Sequence, residues 1–99
     1  MDERTLQTKV LNYLRSIPNS FTMKLSDRFS GGYPDVLFIK GKAIFIELKS
    51  PKRKTHKNGG LEPLQLWTIE EIRKAGGIAY VCYNLNELKN ILTKENIIG

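Results

Sequence analysis

The chain is poor in the residues that build cross-links and soft metal sites: one cysteine, one histidine and one tryptophan occur among 99 residues. A lone Cys82 excludes an internal disulfide framework, and Cys82 with His56 cannot assemble a zinc site. No apolar run approaches the ~20 residues needed to span a bilayer, so no membrane association is expected. The opening Met1-Asp2-Glu3-Arg4-Thr5 lacks the basic start and apolar stretch of a secretory leader. The expectation is an intracellular, cytoplasmic protein with no small organic cofactor. Negative charge is also scarce, with 10 acidic residues against 16 basic ones and a net charge of +6. With a pI near 9.6, the chain favours a polyanionic partner.

What is present is the composition of an ordinary globular domain, 40% hydrophobic and 26% charged. The length allows one domain, residues 1–99, with a modest core. From Asp2 to Ile17 the apolar residues Leu6, Val10, Leu11, Tyr13, Leu14 and Ile17 follow a helical period, and Pro18-Asn19 ends it. Phe21 to Leu25 reads as a short strand, and Ser26 to Pro34 as a loop loosened by Gly31-Gly32. Asp35 to Ile39 and Ala43 to Leu48 are apolar and β-branched, joined at Lys40-Gly41-Lys42 as a hairpin. Lys49 to Gly60 is a basic loop without periodicity.

Leu61 to Ala75 is predicted helical, with Trp67 and Leu64 on its apolar stripe and therefore in the core. Gly76-Gly77 closes that helix. Ile78 to Tyr83 is a buried strand that carries Cys82 inward, and Asn84 caps a last helix bearing Leu85, Leu88, Ile91 and Leu92. The order is helix, three strands, helix, strand, helix: one α/β layered domain.

The chemistry concentrates in the hairpin. Side chains alternate along a strand, so Glu47 and Lys49 share a face near the end of the second strand. Asp35 stands at the start of the first, beside that end in an antiparallel pair. Two carboxylates can thus converge on a divalent cation. Mg²⁺ takes oxygen ligands, commonly one or two carboxylates with water and substrate phosphate. Asp35 and Glu47 supply the carboxylates, and the backbone carbonyl of Leu48 is the expected third oxygen. Lys49 would orient the attacking water or offset charge on the phosphate. Taken singly, Glu47-Leu48-Lys49 could be a surface ion pair worth under ~1 kcal/mol. An apolar strand running into that triplet beside Pro34-Asp35 makes a catalytic site the better reading. Lys52, Arg53, Lys54 and Lys57 follow at once and are the phosphate-binding candidates.

On Gly32-Tyr33-Pro34-Asp35, Glu47-Leu48-Lys49, Gly60-Leu61-Glu62-Pro63-Leu64-Gln65 and the opening Glu3-Arg4-Thr5-Leu6-Gln7, the chain resembles the VRR-NUC group of PD-(D/E)xK nucleases. The resemblance extends over nearly the whole chain. It implies a restriction-endonuclease-like αβββαβ core with a C-terminal helix and a mixed central sheet. It also implies Mg²⁺ or Mn²⁺ dependence and phosphodiester hydrolysis in DNA. Stand-alone members of the group, often phage-encoded, are similar to Holliday-junction resolvases acting as homodimers. The expected substrate is therefore branched or four-way junction DNA. By the same resemblance Gln65 would sit beside Lys49 and touch water or phosphate, and Glu3 would be an outer-shell metal ligand.

The residues themselves leave other readings open. Gln65 could cap its helix, and Glu3 could complement the helix dipole. His56 is expected to be solvated or to touch phosphate, and Tyr33 is expected to pack rather than stack on a base. The basic loop is expected to order only on DNA. The last helix and the pair Ile97-Ile98 are the candidate dimer surface. The competing function is a non-catalytic DNA-binding module on a degenerate nuclease fold; an RNA-directed enzyme or a small-molecule phosphodiesterase is a third possibility.

Overall fold

The structure, a computed structural model, describes residues 1–25 and 32–99; of the loop expected over Ser26 to Pro34, residues 26–31 lie outside the described residues. Helix α1 spans Glu3–Arg15. It starts one residue later than its periodicity implies because Asp2 is the N-cap, its carboxylate accepting the Thr5 N–H at 2.7 Å. Strand β1 (Phe21–Lys24), β2 (Val36–Ile39) and β3 (Ala43–Leu48) follow, then two short 3₁₀ turns at Pro51–Arg53 and Lys57–Gly60. Helix α2 (Pro63–Lys74), strand β4 (Ile78–Cys82) and helix α3 (Leu85–Lys94) complete the order. Asn84 caps α3, its side chain accepting the Glu87 N–H at 2.8 Å.

The sheet is mixed, ordered β1-β2-β3-β4, antiparallel except for the β3–β4 pair. Val36, Phe38, Ile44, Ile46 and Leu48 form one face with Cys82, and α1 and α3 bury it through Leu6, Val10, Leu14, Leu88 and Leu92. The parallel β3–β4 link needs a crossover, which α2 supplies. Its buried Ile69 and the buried Ala79 of β4 stand outside that first core. Ala79 alternates with Ile78 and Tyr80, so α2 covers the second face. Its main contact there is with β4. Toward β1 and β2 the second face stays open, with Phe21, Met23 and Ile39 exposed.

Four expectations are corrected by packing. Trp67 and Leu64 are not core: they are 59% and 53% exposed. Ile69, two positions after Trp67 and so about 200° around the helix, is the residue that meets the sheet. Tyr33 does not pack and is 58% exposed. Ile97 and Ile98 are not a free surface. They pack against the core, and the Ile97 N–H donates back to the Leu92 carbonyl at 2.8 Å. The basic loop is not structureless: it holds two 3₁₀ turns and is tied to distant residues. The Tyr83 hydroxyl donates to the Gly59 carbonyl at 2.7 Å, and Lys54 is ion-paired with Glu87.

Candidate metal and catalytic centre

The β2–β3 register pairs Val36 with Ile46 and Leu37 with Phe45. Continued by one residue, it sets Asp35 opposite Glu47 at the end of the hairpin remote from its turn. Asp35 is held there: its Oδ2 accepts the Leu48 N–H at 2.8 Å. Strand β2 itself begins at Val36, one residue after the expected Asp35.

Glu47 is only 2% exposed, and its Oε1 has no hydrogen-bond partner among the described residues. Leaving a carboxylate oxygen buried and unpartnered is costly. Burial is the largest cause that pushes the Glu47 carboxyl up to about 9. The hydrogen bond and negative charge of Asp35 add to it, and the nearby Lys49 opposes it. Lys49 is itself buried, 5% exposed, its N–H donating to the Cys82 carbonyl of β4 at 3.1 Å.

A buried carboxylate oxygen without a donor, beside a second carboxylate, is an environment that a hard cation relieves. The donor set, carboxylate and main-chain oxygen, suits Mg²⁺ or Mn²⁺ rather than a soft metal. Among the described residues no group of three or more His, Cys, Asp or Glu side chains converges. A cation here would therefore rest on two carboxylates, with main-chain, water or phosphate oxygens completing its shell.

Two further strands of contact reach this centre. The Ser50 N–H donates to Glu3 Oε1 at 3.4 Å, and Ser50 Oγ donates to the Met1 carbonyl at 3.3 Å. These bonds dock the start of α1 on the residue after Lys49. Glu3 thus stands at the edge of the centre, while the capping of α1 belongs to Asp2. Gln65 is tied to its own helix: its Oε1 accepts the Glu62 N–H at 2.9 Å, forming the cap at the start of α2.

The first turn of α2 still lies close to the segment that leads into Asp35. Gly32, at φ +95°, passes so near that a Cβ there would fall 2.4 Å from Leu64 Cγ. That contact demands glycine twice over, for its backbone angle and for its missing side chain.

The four basic candidates divide into two pairs. Lys52 and Lys57 are exposed and form no ion pair among the described residues. Arg53 reaches Glu62 at 3.8 Å, and Lys54 is held by Glu87 and over the Tyr83 ring at 5.5 Å. The bond to Glu87 is the first cause that raises the Lys54 pKa. His56 is exposed. Cys82 is buried, its Sγ donating to the Asn84 carbonyl at 3.1 Å, and burial pushes its thiol up to about 11. It is an inert core residue.

Sequence reasoning missed Ser50, which joins α1 to the centre, and Glu87, which neutralises Lys54. Glu87 carried a usable signal as the third residue of a helix capped by Asn84; Ser50 carried none.

No protein-family profile matches the chain, and no curated protein does. Among solved structures it is similar to one described as a VRR_NUC domain, with a TM-score of 0.73 and 26% sequence identity. The alignment covers 92% of this chain and 94% of that one. Three helices and a four-stranded mixed sheet thus belong to one architecture: this chain has the VRR-NUC nuclease fold.

Proposed function

We propose that the chain is a Mg²⁺- or Mn²⁺-dependent endodeoxyribonuclease that acts on branched or four-way junction DNA as a homodimer. The observation that carries this reading is the buried Glu47 carboxylate, with an unpartnered oxygen, set opposite Asp35 and two residues from a buried lysine. Asp35, Glu47 and the Leu48 carbonyl would hold the cation, with Glu3 outside them through water. A cation so held lowers the pKa of water and neutralises phosphate charge.

The protein's own groups do the rest. Lys49 is confined in a buried setting, where its ammonium has few alternatives to the incoming water and the phosphate oxygens. Gln65 sits on the helix turn that packs against Gly32, and from there it would reach the same phosphate. Turning there requires releasing its cap to Glu62, a bond worth about 1 kcal/mol. Lys52 and Lys57 bind flanking phosphates, with Arg53 and Lys54 recruited when DNA competes with Glu62 and Glu87.

Cutting two strands needs two such centres, and hence two copies. The open second face of the sheet suits a second copy: Phe21, Met23 and Ile39 are exposed there as neighbours across β1 and β2. Adjoining exposed apolar side chains of this kind mark interaction surfaces.

Calorimetric titration with Mg²⁺ and Mn²⁺ tests the metal step. Native protein is expected to bind one cation per chain, and Glu47→Gln to lose that binding. Absence of binding by native protein, alone and with DNA, would move the non-catalytic DNA-binding module ahead.

A further inference from the structure

We propose that Tyr33 and Trp67 form a stacking platform for an unstacked nucleobase beside the scissile phosphate. The inference rests on the nuclease reading for its setting and adds the substrate feature recognised. Tyr33 is 58% exposed and Trp67 59% exposed, although both are large aromatics in a chain with a full core to fill. They belong to one surface. Gly32 abuts Leu64, which places Tyr33 next to the first turn of α2. Leu64 precedes Trp67 by three residues and so lies on the same side of that helix. Leu64 is itself 53% exposed, adding a third apolar side chain between the two aromatics in the order Tyr33, Leu64, Trp67.

Its position selects the occupant. Tyr33 stands two residues before Asp35, so whatever lies on it lies within a nucleotide or so of the carboxylate centre. The net charge of +6 favours a polyanionic occupant. Flat aromatic faces accept any base by stacking, without reading its edge. A base inside a continuous duplex has no free face to offer. Junction crossovers, single strands and frayed ends do, and the platform therefore selects for them beside the cut.

Trp67 is the chain's one tryptophan, so its emission reports on this surface alone. In metal-free buffer with EDTA, single-stranded oligonucleotide and four-way junction are expected to quench it. Continuous duplex leaves it unchanged, and abasic sites in the single strand remove the quenching. Trp67→Leu and Tyr33→Leu each weaken single-strand and junction binding about tenfold, the worth of one stacked base. Duplex binding stays as in the native chain, and Trp67→Phe recovers most of the loss.

Equal quenching by duplex, or leucine variants that bind like native protein, would overturn the platform. So would an emission shift with protein concentration in the absence of DNA, which assigns the surface to a second copy. None of these readouts uses cleavage. A chain that stacks bases and cuts nothing overturns the nuclease reading alone; a chain that cuts while its leucine variants bind normally overturns the platform alone.

Discussion

The two faces of the β2–β3 hairpin are built from alternate residues of the same ten-odd positions and serve opposite ends. On one face Val36, Phe38, Ile44 and Ile46 are fully buried beneath α1 and α3. On the other, Leu37 and Phe45 are half-buried, and the row ends in Asp35 and Glu47, whose buried oxygen lacks a partner among the described residues. The first face gains stability from each atom it hides. The second gives some up, holding a carboxylate where water cannot satisfy it. A site under such tension is expected where function, rather than folding, chose the residues.

Substitution should separate the faces. Glu47→Gln removes the ionisable group and keeps the shape. We expect DNA cleavage to fall about a thousandfold, as when a group that stabilises the transition state is removed, while metal-free stability holds or rises. Cleavage rates and urea midpoints on one preparation check both halves. Phe38→Ala, on the first face, should do the reverse: about 3–5 kcal/mol of stability lost, with normal activity in whatever fraction stays folded. In a domain whose total is of order 5–15 kcal/mol, that loss is severe, and denaturant titration reads it directly.

The comparison also has a pH signature. The unfolded chain releases the Glu47 proton near 4.5, whereas the folded chain keeps it to about 9. The folded state therefore binds the extra proton between those values, and metal-free stability falls as pH rises through that window, levelling above it. Mg²⁺ should reverse the trend, stabilising most at the alkaline end, and Glu47→Gln should flatten it. Melting temperatures from pH 5 to 9, with EDTA and with Mg²⁺, give the answer.

Smaller effects sharpen the picture. On the open part of the second face, Phe21→Ser should change chain stability within about 0.5 kcal/mol yet dissociate the proposed homodimer, as sedimentation would show. The smallest difference concerns the basic loop. Lys52→Ala should reduce the salt dependence of DNA binding by about one unit of slope. Lys54→Ala should reduce it less, since DNA must first displace Glu87.

Much of this comparison was legible in the sequence, and the reason is locality. The hairpin turn at Lys40-Gly41-Lys42 and the alternation on either side set the Asp35–Glu47 juxtaposition within thirteen residues. The stripe of α1 and the Asn84 cap are likewise local patterns. What stayed hidden depends on distant partners. Trp67 fits one helical stripe of α2 and Ile69 another, and only the crossover onto β4 decides which one meets the sheet. The basic loop looks structureless because what folds it, the Tyr83–Gly59 bond and the Lys54–Glu87 pair, lies 24 and 33 residues away. Ile97 and Ile98 look free until the chain turns back at Leu92.

The measurement that tests the central claim most directly is cleavage of labelled four-way junction, linear duplex and single strand with Mg²⁺ or Mn²⁺, native protein against Lys49→Ala. The account predicts that native protein cuts the junction, while the variant binds it with similar affinity and leaves it intact. Native protein that binds all three substrates and cuts none with either metal would contradict the account, leaving a DNA-binding module on a nuclease fold.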